Sequence, residues 1–220
     1  MENTVEQIKI LNLYAGIGGN RKLWGPGNIT AVEIDPDIAK IYSEFYPGDK
    51  VIVSDAHEYL LNHYSEFDFI WSSPPCPTHS TLCSAKKGWG IVDYPDMKLY
   101  QEIILLKHFF EGKYIVENVV SYYRPLIIPE KFCRHYFWAN FKIKYKDIKD
   151  PTKGFIGNFV KSETTEVIEY QKALGFDLRA HKLKNKRRAL RNCVLPELGK
   201  HIFDCAMGSV IKEEQMGLFA

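Results

Sequence analysis

Short apolar runs recur along the chain at Ile8–Leu13, Ile29–Glu33, Val51–Ser54, Phe67–Trp71 and Tyr114–Glu117, and most intervening segments carry helix-like periodicity. This alternation predicts a mostly parallel α/β architecture. Between the fourth and fifth runs, Met97–Phe110 sets Leu99, Ile103, Leu106 and Phe110 at three- to four-residue steps, giving one apolar helical face. The stretch Thr78–Tyr94, with Ser80, Thr81, Ser84, Gly88, Gly90, Lys86 and Lys87, reads as a loop. No internal repeat or low-complexity linker is evident.

At 220 residues, 45% hydrophobic and 14% aromatic, the chain can bury the core of one domain with a small appendage. A net charge of +2 carries no global nucleic-acid signature, so any basic surface is local. Such a region runs from Lys142 to Arg191, where fourteen Lys and Arg residues outnumber the acids and Tyr145, Phe155 and Phe159 are interleaved. A charge run is often only a solvated face, but the aromatics favour nucleic acid. Five cysteines, without C-x-x-C pairing or a secretory leader, fit a reduced cytosolic compartment. No apolar stretch is long enough to span a bilayer.

Candidate chemistry gathers at strand ends. Cys76 lies in Ser72-Ser73-Pro74-Pro75-Cys76-Pro77, just past the fourth run, where two prolines restrict how the thiol is presented. A lone cysteine there is more often an inert core residue, so the nucleophile reading needs support from elsewhere. The first run enters Tyr14-Ala15-Gly16-Ile17-Gly18-Gly19, a glycine turn that departs from G-x-G-x-x-G. Glu33 ends the second run, placed to accept both hydroxyls of a ribose, and Asp55 follows the third, placed to accept from an adenine amino group. Each alone could be a helix N-cap. Glu117, at the end of the fifth run, falls on the same sheet edge as Cys76; a protonated carboxyl bonded to a pyrimidine ring nitrogen would make the ring electrophilic towards a thiolate.

Taken in order, Tyr14–Gly19, Glu33, Asp55, Pro74-Pro75-Cys76 and Glu117-Asn118-Val119 strongly resemble the cytosine-C5 DNA methyltransferase family. Arg191-Asn192-Cys193-Val194-Leu195-Pro196 resembles its late Gly-Asn-Ser/Ala-Val motif, so the resemblance covers nearly the whole chain. It implies a Rossmann-like, S-adenosylmethionine-dependent methyltransferase fold, with helices on both faces of the sheet and a minimal target-recognition region. It further implies Tyr14 stacking on adenine, Glu33 on the ribose, Asp55 on the adenine amino group, and Gly16, Ile17, Gly18 and Asn192 around the methionine moiety. Pro75, Leu99 and Cys193 join the cofactor set. Cys76 would add to C6 of a flipped-out cytosine while Glu117 engages N3, and no metal is implied.

Pro77, His79 and Asn12 depart from the family pattern, and the usual Gln-x-Arg-x-Arg strand is not evident; Arg134 is the candidate for the arginine that contacts the base. The expected divisions are a catalytic domain over 1–141, a short basic recognition region over 142–165, a helical return over 166–212 and a tail over 213–220. So small a module implies a short or relaxed target in double-stranded DNA, or help from a partner. A tRNA cytosine-C5 methyltransferase, or a component of a split enzyme, are the alternatives. Ser73-Pro74-Pro75 also resembles the Ser-Pro-Pro-Tyr motif of amino-methyltransferases, which Cys76 argues against. The tail segment Gln215–Phe219 resembles a bacterial sliding-clamp peptide. A cytoplasmic monomer of a bacterium or phage-infected cell is the expectation.

Overall fold

The computed structural model of the protein describes residues 8–80, 94–152 and 163–208. In chain order they form β1 (Lys9–Leu13), β2 (Asn28–Glu33), α1 (Pro36–Phe45), β3 (Lys50–Val53), α2 (Ala56–His63), β4 (Phe69–Ser72), α3 (Lys98–Phe109) and β5 (Lys113–Val119). There follow β6 (Glu130–Phe132), β7 (His135–Ala139), α4 (Glu163–Leu174), α5 (Lys186–Arg191) and α6 (Pro196–Met207). The seven strands make one sheet in the order β3-β2-β1-β4-β5-β7-β6. The first five are parallel, and β7 runs antiparallel to both β5 and β6.

The central strands are apolar at successive positions because both faces are covered. Ile10, Phe69, Trp71 and Ile115 pack with Leu198, Ile202 and Phe203 of α6, whereas Leu11, Ile70, Tyr114 and Val116 pack with Leu60 of α2 and Leu99, Ile103 and Leu106 of α3. A third cluster joins Ile17 and Ile41 to Tyr170, Leu174 and Leu190, fastening α4 and α5 beside α1. Helices α4, α5 and α6 thus pack on the same body as the sheet.

Strand order reverses between β1 and β4, and the crevice beyond their carboxyl ends is where ligands bind in open α/β sheets. The expected strands fall within a residue or two of their places, with one informative exception. β5 continues through Glu117 to Val119 because β7 supplies Phe137, Tyr136 and His135 opposite its last three residues. Arg134 does not sit on a strand either. It occupies the two-residue turn between β6 and β7, beside Cys133 at φ 53°. Helix α4 takes in Glu163–Thr165 at the end of the expected recognition region; of that region, 142–152 is described. Most of the Thr78–Tyr94 loop and the Gln215–Phe219 peptide lie outside the described residues. No helix among the described residues is long and apolar enough to cross a membrane.

Candidate active site

Three residues of the loop after β1 have positive φ: Tyr14 (55°), Gly16 (55°) and Gly18 (82°). For tyrosine this is uncommon backbone, held here by its surroundings. The Gly16 amide donates to Glu33 Oε2 at 2.9 Å, and the Asp35 amide donates to Oε1 at 3.0 Å, so the carboxylate at the tip of β2 pins the loop. Glycine at 19 is required by close approach: a Cβ there would lie 2.4 Å from the carbonyl oxygen of Val194. The late motif therefore returns against the glycine loop, bringing Cys193 to it. Burial pushes the Cys193 thiol up to about 12. Asn192 is exposed at the C-terminal cap of α5.

Tyr14, Asp55, His57, Pro74, Pro75, His79, Asp96, Lys98 and Leu99 line one solvent-open cleft. Four of the expected cofactor residues, Tyr14, Asp55, Pro75 and Leu99, thus share one cavity. Asp55 also caps α2: its Oδ1 accepts from the Glu58 amide at 3.0 Å, and this bond is the main reason its carboxyl sits below the usual range. Ile17 belongs to the expected cofactor set. Its side chain is wholly buried against Ile41 and Leu174, so only its backbone can face a ligand, because the turn directs this position into the core.

Beneath the cleft lies a buried carboxylate absent from the sequence expectations. Glu102, fully buried on α3, accepts from the Tyr14 hydroxyl (2.6 Å) and the Ser72 hydroxyl (2.6 Å), and lies 2.9 Å from His57 Nδ1. The other ring nitrogen of His57 is 3.2 Å from Gln101 Oε1. Oxygens at both nitrogens favour the imidazolium, and His57 is raised above its ordinary value chiefly by the bond to Glu102, against the effect of burial. Burial and Glu102 together raise the Tyr14 hydroxyl far above its usual range. A sequence signal did exist: Glu102 is three residues after Leu99 and four before Leu106, on the apolar face of its helix.

Cys76 is held against β5 through backbone ties. Asn118 Nδ2 donates to the Pro74 carbonyl at 3.1 Å, the His79 and Ser80 amides donate to the Cys76 carbonyl at 3.0 and 3.1 Å, and the Tyr122 amide donates to the His79 carbonyl at 3.1 Å. Burial, and secondarily the charge of nearby Glu117, raise the Cys76 thiol. Glu117 is buried, and its Oε1 is 2.5 Å from His135 Nδ1. Arg134 does not join them. Its guanidinium contacts Asp150 at 2.7 Å and Thr152 at 3.2 Å, since the hairpin turn points it towards the 148–152 segment. With His135, Arg191 and Cys193 it lines a second cleft, of about 530 Å³. No group of three or more metal-ligating side chains could hold an ion among the described residues.

The sheet order, the glycine loop and the strand-end acids define a Rossmann-like methyltransferase. A methyltransferase from Entamoeba histolytica, EhMeth, has the same fold at a TM-score of 0.51 and 13% identity, over 92% of this chain and 98% of that one. Also similar are an S-adenosylmethionine-dependent methyltransferase from Agrobacterium tumefaciens (TM-score 0.37, 11% identity, 53% of this chain and 40% of that one) and a Spodoptera frugiperda DNMT2 variant (0.36, 24%, 51% and 35%). The profile of the C-5 cytosine-specific DNA methylase family matches residues 8–123, and the chain belongs to that family. No curated protein matches it.

Proposed function

We propose that the protein is a DNA (cytosine-5)-methyltransferase acting on a flipped-out cytosine. The observation that carries this is the tie between Asn118 and the Pro74 carbonyl, which sets the Cys76 turn beside the strand bearing Glu117 and next to the Tyr14–Asp55–Leu99 cleft. The cleft fits S-adenosylmethionine. Tyr14, Pro75 and Leu99 offer apolar walls for adenine, Asp55 an acceptor for its amino group, and Glu33 acceptors for ribose hydroxyls, while the Gly16–Gly19 backbone and the Cys193 return border the methionine end. When bound, that cofactor supplies an electrophilic methyl on a sulfonium.

Cytosine C5 is too weakly nucleophilic to take that methyl unaided. Cys76, as thiolate, adds to C6 while Glu117 gives a proton to N3, and the displaced π electrons become available at C5. After methylation the C5 proton passes to water, its bonding pair re-forms the C5–C6 double bond, the C6–S bond breaks to release the thiolate, and N3 returns its proton to Glu117. The raised Cys76 thiol keeps the empty enzyme in its protonated form, and neutralising Glu117 removes one cause of that shift. Exposed Lys142, Tyr145, Lys146 and Lys149 give the adjoining segment a basic, aromatic face suited to nucleic acid.

Labelled-methyl transfer to DNA and tRNA, run side by side, tests the reading. The wild type should label cytosine C5 in DNA, and Cys76→Ser should lose about a thousandfold or more. Equal transfer by both removes the mechanism, and labelling of tRNA alone moves the substrate to RNA. Clamp tethering through Gln215–Phe219 is tested separately by pull-down with Gln215→Ala, Phe219→Ala.

A further inference from the structure

We propose that His135 is a positioning residue that fixes the Glu117 carboxyl by one oxygen and shares the charge it acquires on protonating cytosine. The inference rests on the C5-transfer reading above. In the antiparallel pairing of β5 with β7, Phe137 stands opposite Glu117 and His135 opposite Val119, so Glu117 and His135 are diagonal neighbours on one face. His135 Nδ1 closes to 2.5 Å on Glu117 Oε1, where the Nδ1–H tautomer donates to the carboxyl. Oε2 makes no hydrogen bond among the described residues, which leaves it for the substrate. The side chains are only 20% and 8% exposed, so this contact is poorly screened. The neighbouring cation, Arg134, is engaged by Asp150 and Thr152, and the imidazole is the group on the carboxylate.

The chemistry gives this contact a direction. N3 of cytosine is an acceptor, so Glu117 must present Oε2–H. As that O–H bond breaks and the N3–H bond forms, the electron pair stays on the carboxylate. The Nδ1–H···Oε1 bond then changes from a neutral to a charge-assisted one, about twice as strong. An interaction stronger in the transition state than in the ground state raises kcat rather than affinity. On elimination the proton returns to Oε2 and the pair regains its starting state. His135 does not line the Tyr14–Asp55–Leu99 cleft, so its loss should leave cofactor binding intact.

Full-length His135→Leu and His135→Asn separate this role from a spacer. Asparagine places an amide donor near the position of Nδ1, whereas leucine fills space without donating. In methyl transfer to cytosine-containing DNA, His135→Leu should lower kcat about a hundredfold or more, with KM for DNA and S-adenosylhomocysteine affinity within about threefold of wild type. His135→Asn should recover about tenfold of that loss, and covalent trapping of Cys76 on 5-fluorocytosine DNA should slow in the same order. The proposal is overturned if His135→Leu keeps wild-type kcat, or if both variants bind S-adenosylhomocysteine normally and asparagine is no better than leucine. Should leucine unfold the chain, His135→Ala against His135→Asn reads the same difference. A wild type that methylates no cytosine overturns the C5 reading, and this inference with it; an active wild type with a silent substitution overturns this inference alone.

Discussion

The Tyr14–Asp55–Leu99 cleft and the neighbourhood of Glu117 hold their polar groups by different means. Around the cleft, the strand-end acids are secured chiefly by the backbone: Asp55 by the Glu58 amide, and Glu33 by the Asp35 amide and, from the loop after β1, the Gly16 amide. The floor beneath them is a buried carboxylate with three partners. Around Glu117, the securing groups come from a hairpin at the far edge of the parallel strands, as His135 meets Glu117 and Asp150 draws off Arg134. Local capping makes a residue's place predictable, whereas cross-strand pairing makes it depend on register. The two should therefore fail independently. The sharpest break of the comparison is Glu117→Gln, an isostere that bonds N3 but gives no proton. It should lower kcat by about a hundredfold or more while S-adenosylhomocysteine affinity, read by calorimetry, stays within about threefold. Equal losses in both would mean that the two are one unit.

Next in size is Glu102→Gln, on the opposite side of the comparison. Removing a buried charge from Tyr14, His57 and Ser72 leaves donors competing for one amide oxygen, and a buried imidazolium loses its counterion. A loss of about 3 kcal/mol in denaturant unfolding is expected, together with weaker S-adenosylhomocysteine binding. An unchanged midpoint would show that the cluster rearranges freely. Tyr14→Phe removes one donor and keeps the ring that walls the cleft. It should cost about 2 kcal/mol of stability, with ligand affinity within about threefold; a larger drop in affinity than in stability would mean that the hydroxyl, rather than the ring, serves the ligand.

Most of the parallel sheet was legible in the sequence because its strands are buried on both faces and read as short apolar runs between helices. Cys76, Glu33 and Asp55 were legible because strand ends and helix caps are local features. His135 and the placement of Arg134 were not. Phe132–Phe137 carries no Asn-Gly or similar turn signal, so the residue at the tip and the residue on the strand could not be told apart, and a shift of one position exchanges what faces Glu117. That the Ile17 side chain turns into the core was not legible for a related reason: a glycine-rich motif identifies the loop but not which of its side chains turns inward. Glu102 was hidden by periodicity itself, since the pattern marks which face is buried and a charged residue on that face calls for a partner 88 residues away in sequence.

The smallest expected effect is also the most diagnostic of the floor beneath the cofactor. His57 faces Glu102 and Gln101, with Lys98 opposing and Asp55 nearby, and its net shift is upward, caused first by the Glu102 hydrogen bond. A histidine raised in the folded state holds its proton more tightly there than in the unfolded chain, whose value is about 6.5. The stabilisation is fully present below that value and is lost as pH rises through the higher folded one. Urea unfolding from pH 6 to 9 should therefore show wild-type stability falling with pH, while His57→Gln, which can bond but not titrate in this range, gives a flatter curve from a lower start. Parallel curves would mean that His57 is neutral in the fold. Glu102 would then be the sole charge of the floor, held by neutral donors rather than by a buried ion pair.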